Sequence, residues 1–508
     1  MGICTITTAV PRRSNGIARS RAVPALWFCV LLLVFSSGCS SRVTTNAIRS
    51  NLALGNLETL EHDLAETHES YGEFVTALNL ARVYQVHGRW VDSIKAFEDA
   101  LVLLEDYEAR AVVNMRAVLA GAGTVLFSRG AGEYYGVGYE RSLLHTFNAV
   151  NYLMLGDFAG AAVEMRRMDK RQEIWLEESQ ARIEKYLESE KRLESPDELP
   201  QGYTMRDLLR DQEVRGLLNN YQDPFSYSLG SILYRLADDP QSAEVSMRRA
   251  IALHDNANRL FSQAWPGPSS AKGDQGSDAV PPAPRVPPMP QFRSGDGGKN
   301  GLNENNPPKT QEVTVIAFTG LAPALRVENV RAWFPTIGYI LIDLPSYANP
   351  VFGAKPAVTA SFGSQTSDIG LYPLLRTDLL AYRTLWDEVS MEVTFAISRA
   401  AVRAGISAAS YAAARSNEDT REYASLIATL TTVLMDVFAS SMAESVRNWE
   451  TLPNTGYLAL ADVPRGGTVT ISVGGDKTSV DLPPDVRGVI IMATELSNSN
   501  LKVHHVTY

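Results

Sequence analysis

With 508 residues, the chain is long enough for two or three domains with sizeable cores. It has 47 basic and 57 acidic residues, a formal net charge of −10, and the apolar fraction of an ordinary globular protein. An acidic protein of this kind is a poor candidate for binding nucleic acid or an anionic membrane face.

The N-terminus resembles a bacterial lipoprotein signal. Arginines precede an 11-residue apolar run, Ala25–Phe35, and small residues then lead to Cys39. Because this run is short for a membrane span, we expect residues 1–38 to be a signal peptide and Cys39 to be the acylated first residue, carrying palmitate or a similar chain. Secretion without a lipid is the alternative. Ser40 after the cysteine resembles the signal for sorting to the outer membrane, which would place the protein on its periplasmic face.

The cysteines agree with this interpretation. Cys4, Cys29 and Cys39 all lie within or at the end of the signal. A mature chain would therefore have no disulfide, thiol nucleophile or cysteine-ligated metal. It would also lose four arginines and carry a net charge of −14.

Helical periodicity dominates the next two hundred residues. A polar tether, residues 39–56, precedes a region of three- and four-residue apolar spacing over residues 57–263. Two segments around Tyr84 and Tyr152 have the order of large and small residues of a tetratricopeptide unit, and a weaker one surrounds Tyr234. Tyr84 and Tyr152 lie 68 positions apart, twice the usual repeat of about 34. We therefore predict a tetratricopeptide-like helical domain.

Such repeats stack into a curved array with one concave surface. In the unit around Tyr152 the concave positions are mostly apolar, and they include Leu143, Val150 and Leu153. In the first unit the surface is mixed and includes Arg82. These four residues are candidates for binding a partner protein. The alternative is that a neighbouring helix or the C-terminal domain covers the apolar stripe.

A change of composition separates the two halves. Residues 264–311 are rich in Pro and Gly, and we predict a disordered linker there. Residues 312–508 read as an α+β domain, with two long helices at about Tyr372–Arg415 and Glu418–Trp449 that form a hairpin. Trp449 is expected to fill the junction between helices and sheet. The strands predicted before the helices are Val313–Phe318, Tyr339–Leu344 and Ala357–Phe362. Five strands predicted after the helices would form a small antiparallel sheet or sandwich: Gly456–Ala461, Thr468–Val473, Thr478–Leu482, Gly488–Ala493 and Leu501–Val506.

Several motifs in series resemble a family of uncharacterised bacterial lipoproteins with tetratricopeptide repeats. They include the segment from Gly138 to Arg167, DPFSYSLGSILY at Asp223–Tyr234, Leu344-Pro345-Ser346-Tyr347, and RNWETLP at Arg447–Pro453. The resemblance covers most of residues 60–508. It implies a location in the cell envelope and no established activity, so it supplies no catalytic residue.

Motifs for catalysis are missing from the sequence. The seven histidines show no metal-binding spacing, and there is no nucleophile elbow, Walker loop or dinucleotide fingerprint. Ser269 and Lys272 have the spacing of a nucleophile pair, but they lie in the predicted linker, where nothing would fix their geometry. We expect no enzyme activity, cofactor or metal.

The sequence therefore predicts a multidomain chain: an N-terminal all-α tetratricopeptide-like repeat domain, a Pro/Gly-rich linker and a C-terminal α+β domain with a long helical hairpin and a small antiparallel sheet. The predicted function is a non-catalytic lipoprotein scaffold that binds or assembles envelope proteins. Its membrane contact would be the lipid anchor, and no nucleic acid would be bound. The alternatives are a module that binds the cell wall or a glycan, an activator of wall synthesis, and an unrecognised hydrolase.

Overall fold

The computed structural model combines helices and separate sheets in a multidomain-like arrangement. It describes residues 56–66, 72–118, 134–187, 195–264, 309–334, 338–389, 447–496 and 501–508, and the positions 48, 50, 51, 393, 412, 415 and 416. The predicted signal peptide with Cys39, most of the tether, nearly all of the linker, and most of the predicted helical hairpin lie outside the described residues.

The N-terminal half is helical. Its α-helices are α1 (Leu57–Glu66), α2 (Glu73–Val86), α3 (Trp90–Val118), α4 (Gly138–Met154), α5 (Phe158–Leu187), α6 (Met205–Leu208), α7 (Gln212–Gly216), α8 (Pro224–Leu236), α9 (Pro240–Leu253) and α10 (Asp255–Ala264). A short 3₁₀ helix covers Pro196–Glu198. The charged segment after Met168 continues α5 as far as Leu187.

Three helical hairpins share one type of turn. The pairs α2–α3, α4–α5 and α8–α9 turn through a residue of positive φ, which is Gly88, Gly156 and Asp238 respectively. Glycine adopts this conformation without strain, and aspartate is one of the few other residues that tolerate it. The next residue donates its N–H to a tyrosine carbonyl at the end of the first helix; the pairs are Arg89 to Tyr84 at 2.9 Å, Asp157 to Tyr152 at 2.9 Å, and Asp239 to Tyr234 at 2.8 Å.

The C-terminal half contains three β units. The strands are β1 (Thr310–Thr319), β2 (Leu325–Phe334), β3 (Gly338–Tyr347), β4 (Ala357–Phe362), β5 (Gln365–Ile369), β6 (Tyr372–Arg376), β7 (Thr455–Pro464), β8 (Thr468–Val473), β9 (Asp476–Asp481), β10 (Gly488–Glu495) and β11 (Lys502–Thr507). A five-stranded sheet has the order β11-β10-β1-β7-β6, a four-stranded sheet has the order β5-β4-β8-β9, and β2 pairs with β3 alone. Strand β1 lies between β10, to which it is parallel, and β7, to which it is antiparallel. The five C-terminal strands predicted to form one small antiparallel sheet are instead divided between the five-stranded and the four-stranded sheet.

The segment predicted as the start of a long helix begins as a strand. Tyr372–Arg376 is β6, and the helix, α11, covers 377–389 in the described part of the chain. Because β6 is the edge of its sheet, Pro373 is tolerated there although it has no N–H to donate. Residues 447–449, predicted as the end of the second long helix, are not helical.

Two faces of the five-stranded sheet pack against different layers. Side chains on β1 alternate: Ile316 and Phe318 join the core of the helical half, whereas Val313, Val315 and Ala317 face the four-stranded sheet. One hydrophobic core is therefore continuous from the helices to the sheet. A third cluster joins the β2–β3 pair to α11 and to the segment around Tyr203.

No helix within the described residues combines the length and the apolar character needed to cross a bilayer.

Candidate functional site: the helix–sheet junction

The four candidate partner-binding residues lie in the interior. Leu143, Val150 and Leu153 on α4 are 0% exposed, and Arg82 on α2 is 1% exposed. The three apolar residues belong to the core that includes residues of the five-stranded sheet. The rings of Phe147 on α4 and Phe318 on β1 lie 5.1 Å apart. The four residues are therefore interior, in agreement with the alternative that the apolar stripe is covered, and none of them lies on an open groove.

Arg82 is an interior cation between two aromatic rings. Its guanidinium lies 4.2 Å from the centre of the Phe147 ring and 5.4 Å from that of Phe318. Nη1 donates to the Gln85 side-chain oxygen. Burial lowers the pKa of Arg82 to about 9. The aromatic faces stabilise this charge in part, because their π electrons attract a cation.

Gln85 connects the arginine to the neighbouring helices. Its Nε2 donates to the Phe147 carbonyl at 2.7 Å and to Asn151 Oδ1 at 2.6 Å. Asn151 Nδ2 donates in turn to Ser93 Oγ at 2.8 Å, and that hydroxyl donates to the Ala81 carbonyl at 2.7 Å. This network fixes α2, α3 and α4 in one register at the junction.

An irregular segment, residues 447–454, runs through the junction, and we call it the junction strap. Trp449 is completely buried and makes edge-on contacts with Phe97 and Phe147, at 5.9 and 5.8 Å between ring centres. Trp449 therefore belongs to the core that the helices share with the sheet, and its two ring contacts are with helical residues. The N–H of Thr451 donates to Asn79 Oδ1 on α2 at 3.1 Å.

The junction strap also bonds to the C-terminal half. Leu452 accepts a hydrogen bond at its carbonyl from Ala322 N–H at 2.9 Å. The Thr377 hydroxyl donates to the Pro453 carbonyl at 2.7 Å. The backbone N–H and C=O groups of the strap thus bond to residues of both halves. A buried segment without regular structure needs such partners, because its backbone groups cannot bond to water.

Glu140, at the start of α4, is a buried carboxylate of the junction. It is 1% exposed, and its Oε1 accepts the Trp449 N–H at 2.9 Å. Its Oε2 accepts the Val137 N–H at 3.2 Å and the Tyr134 hydroxyl. Burial raises the pKa of this carboxyl, while the three donors work against the increase.

A second buried pair joins α4 to α5. His145 Nδ1 lies 2.8 Å from Glu164 Oε2, and Glu164 Oε1 accepts from Arg167 at 2.7 Å. Burial lowers the pKa of His145, with Glu164 opposing. Burial acts to raise the pKa of Glu164, but the histidine and Arg167 together lower it. This pair is sealed among packed helices, and we read it as structural. Within the described residues no group of three or more potential ligands could hold a metal ion.

An ion pair links the last helical hairpin to the sheet. Arg235 on α8 donates through Nη1 to Glu312 on β1 at 2.8 Å, and Nη2 donates to the other carboxylate oxygen. The arrangement is bidentate, which gives geometric specificity as well as energy.

Comparisons with known proteins found no relative of this chain. No family model, no curated protein and no solved structure matches this chain.

Sequence reasoning missed most residues of the junction. It identified Arg82 and Trp449, but not Asn79, Glu140 or Asn151. One signal in the sequence could have identified these three residues: they are polar side chains at helix positions whose spacing predicts burial. Such residues in an apolar stripe need partners from elsewhere in the fold.

Proposed function

We propose that this protein is a non-catalytic lipoprotein scaffold, anchored through Cys39 in the outer membrane and facing the periplasm, that binds or assembles envelope proteins. The proposal includes a tetratricopeptide-like repeat domain over residues 57–263, a linker over 264–311 and an α+β domain over 312–508. The observation that supports it is the recurrence of one turn at Tyr84, Tyr152 and Tyr234. Hairpins built alike and packed in series are typical of scaffold proteins.

The burial of the apolar stripe changes where a partner would bind. Because Leu143, Val150 and Leu153 are buried, a partner would contact the outer helix faces. Val102 on α3 is 66% exposed and Val163 on α5 is 44% exposed. Exposed acids lie one turn from Val102 on either side, and exposed Arg166 and Arg167 lie one turn after Val163, so these faces combine apolar contact with polar specificity.

A photo-crosslinking amino acid at Val102 or Val163 tests the scaffold in intact cells. We expect either position to trap envelope proteins that remain bound after the wall is digested. Failure of both positions to trap any protein, in cells where the variants are folded and abundant, would contradict the proposal.

A second candidate, binding of a wall glycan, is favoured by the outer face of the four-stranded sheet. This face presents neighbouring hydroxyl groups in register across β4, β8 and β9, from Thr359, Ser361, Thr468, Thr470, Ser472 and Ser479. Hydroxyl groups suit hydrogen bonding to sugar hydroxyls. A crosslinker at Thr470 would trap wall fragments if this candidate is correct, and proteins or nothing if it is not.

A further inference from the structure

Four arginines are buried within the described part of the chain, and one of them differs from the others. Arg141 pairs with Glu108, Arg171 pairs with Glu108 as well, and Arg235 pairs with Glu312. Arg82, the most deeply buried of the four, has a neutral amide, Gln85, as its hydrogen-bond acceptor. The fold therefore supplies a carboxylate to three of its interior cations.

The unbonded edge of Arg82 has a defined shape. Nε and Nη2 have no hydrogen-bond partner among the described residues, whereas Nη1 is bonded to Gln85. The N–H groups of Nε and Nη2 point in the same direction from the planar guanidinium. That edge matches the two oxygens of a carboxylate, which accepts two parallel hydrogen bonds from it.

The surroundings favour an anion with little water. Phe147 and Phe318 cover the guanidinium, and both belong to the apolar core. A buried charge without a partner is costly, and this cost is relieved when an opposite charge binds with good geometry. Asn148, next to Phe147 in the sequence, also has a buried amide nitrogen without an acceptor among the described residues.

We propose that the Nε–Nη2 edge of Arg82 is a binding site for a carboxylate ligand at the helix–sheet junction. The carboxylate belongs either to a small free acid or to the head group of a fatty acid. Since Arg82 is closed off from solvent, the ligand enters when the helices and the sheet separate locally. The site does not depend on the proposed scaffold function.

Thermal unfolding of the purified full chain tests the proposal, at constant pH and ionic strength. We expect acetate or decanoate to raise the Tm in a saturable way. The matched neutral compounds, acetamide and decanol, should not do so. A response to acetate identifies a small acid as sufficient, and a response to decanoate alone identifies the fatty acid.

Three variants separate recognition from folding. Arg82→Met should lose the ligand response while it keeps or raises the Tm of the free protein, because an unpaired interior charge is removed. Arg82→Lys, which keeps the charge without the two-pronged edge, should bind about tenfold or more weakly. Arg89→Met is the control and should respond like the wild type, because Arg89 is an exposed residue paired with Glu61 and Asp92.

If Arg82→Met fails to fold, calorimetric titration of the wild type tests the proposal instead. Acetate or decanoate should then bind, and their neutral counterparts should not. The proposal is overturned if neither acid binds the wild type, if the neutral compounds bind equally well, or if a folded Arg82→Met variant keeps the response.

Discussion

The backbone N–H of Trp449 donates to the Glu140 carboxylate at 2.9 Å, a contact between residues 309 positions apart in the sequence. Glu140 serves two purposes with one side chain, because its other oxygen accepts from Val137 at the start of α4. The same carboxylate therefore begins a helix and fixes the junction strap against it.

Glu140→Gln should weaken this arrangement. The amide keeps one oxygen for Trp449, but it turns an NH₂ group toward the Val137 N–H, where two donors then face each other. We expect a loss of roughly 1–3 kcal/mol in the free energy of unfolding, measured by urea denaturation. Glu98→Gln on the exposed face of α3 is the control and should change the stability by less than about 0.5 kcal/mol. Equal midpoints for the two variants would show that the junction bond contributes nothing.

The burial of the apolar stripe predicts different results for two valine substitutions. Val150→Asp places a charge in the core and should destabilise the fold by several kcal/mol. Val102→Asp makes the same chemical change at a position 66% exposed and should be nearly neutral. Thermal melts of the two variants provide the measurement. A melting temperature of Val150→Asp near that of the wild type would mean that the sheet does not cover the stripe in solution.

The pH dependence of stability should carry a contribution from Asp223, which caps α8. Its two oxygens accept from the Ser226 N–H and hydroxyl, each at 2.7 Å. Burial raises the pKa of Asp223 to about 6, with the Ser226 bonds opposing. A raised carboxyl pKa adds stability that is complete below the unfolded value near 4 and is lost as the pH rises through about 6.

Asp223→Asn removes this titration and keeps an oxygen for the helix cap. The variant should match the wild type near pH 4 and exceed it by about 2–3 kcal/mol above pH 7, measured by urea denaturation. Asp239, which caps α9, is the matched control with the opposite sign. Burial acts to raise the pKa of Asp239, but hydrogen bonds from Ser242 and Arg166 lower it overall. Asp239→Asn should therefore be less stable than the wild type at pH 7 and approach it as the pH falls. Parallel pH profiles for both variants would contradict the assignment.

Gly320, directly after β1, should not tolerate a side chain. Its φ is 69°, and a Cβ atom there would lie 2.1 Å from the Val351 carbonyl oxygen. Gly320→Ala therefore combines backbone strain with a clash against backbone. We expect a loss of several kcal/mol in unfolding free energy. Gly363→Ala, at a φ of 58° with open space around it, has the strain alone and should cost about 1 kcal/mol. Similar losses for the two would remove the contact with Val351 from the explanation.

The lipid anchor is tested by labelling cells with a fatty-acid analogue. The wild-type protein should be labelled, and Cys39→Ser should not be, because the serine has no thiol through which the lipid would be attached. Fractionation should place the labelled protein in the outer membrane. An unlabelled wild-type protein free in the periplasm would contradict the lipoprotein prediction.

Local patterns in the sequence were enough to predict the helical hairpins, because periodicity and turn residues act within about thirty positions. The turns after Tyr84, Tyr152 and Tyr234 are where the sequence indicated them. Most strands were predicted from their apolar runs. Leu325–Phe334 was missed because it alternates charged and apolar residues without a strong run, and Gln365–Ile369 because it is polar and exposed.

The partners of each strand and the cover of the stripe could not be predicted in the same way. The parallel pairing of β1 with β10 joins segments separated by more than 150 positions, and nothing local encodes it. Arg82 was expected on a surface because its helix was considered without the sheet. Its burial depends on Phe318, which lies beyond the predicted linker. The domain boundaries themselves stay a prediction.

The order of synthesis gives the junction strap a further consequence. Helix α4 emerges from the ribosome long before the junction strap that packs against it, since Trp449 follows Glu140 by 309 residues. At typical elongation rates this interval lasts roughly 15 to 60 s. During that time the apolar helices lack their cover, so the newly made N-terminal half would depend on chaperones. A chain truncated before the strap would expose the same surface permanently, and we expect proteases to degrade it.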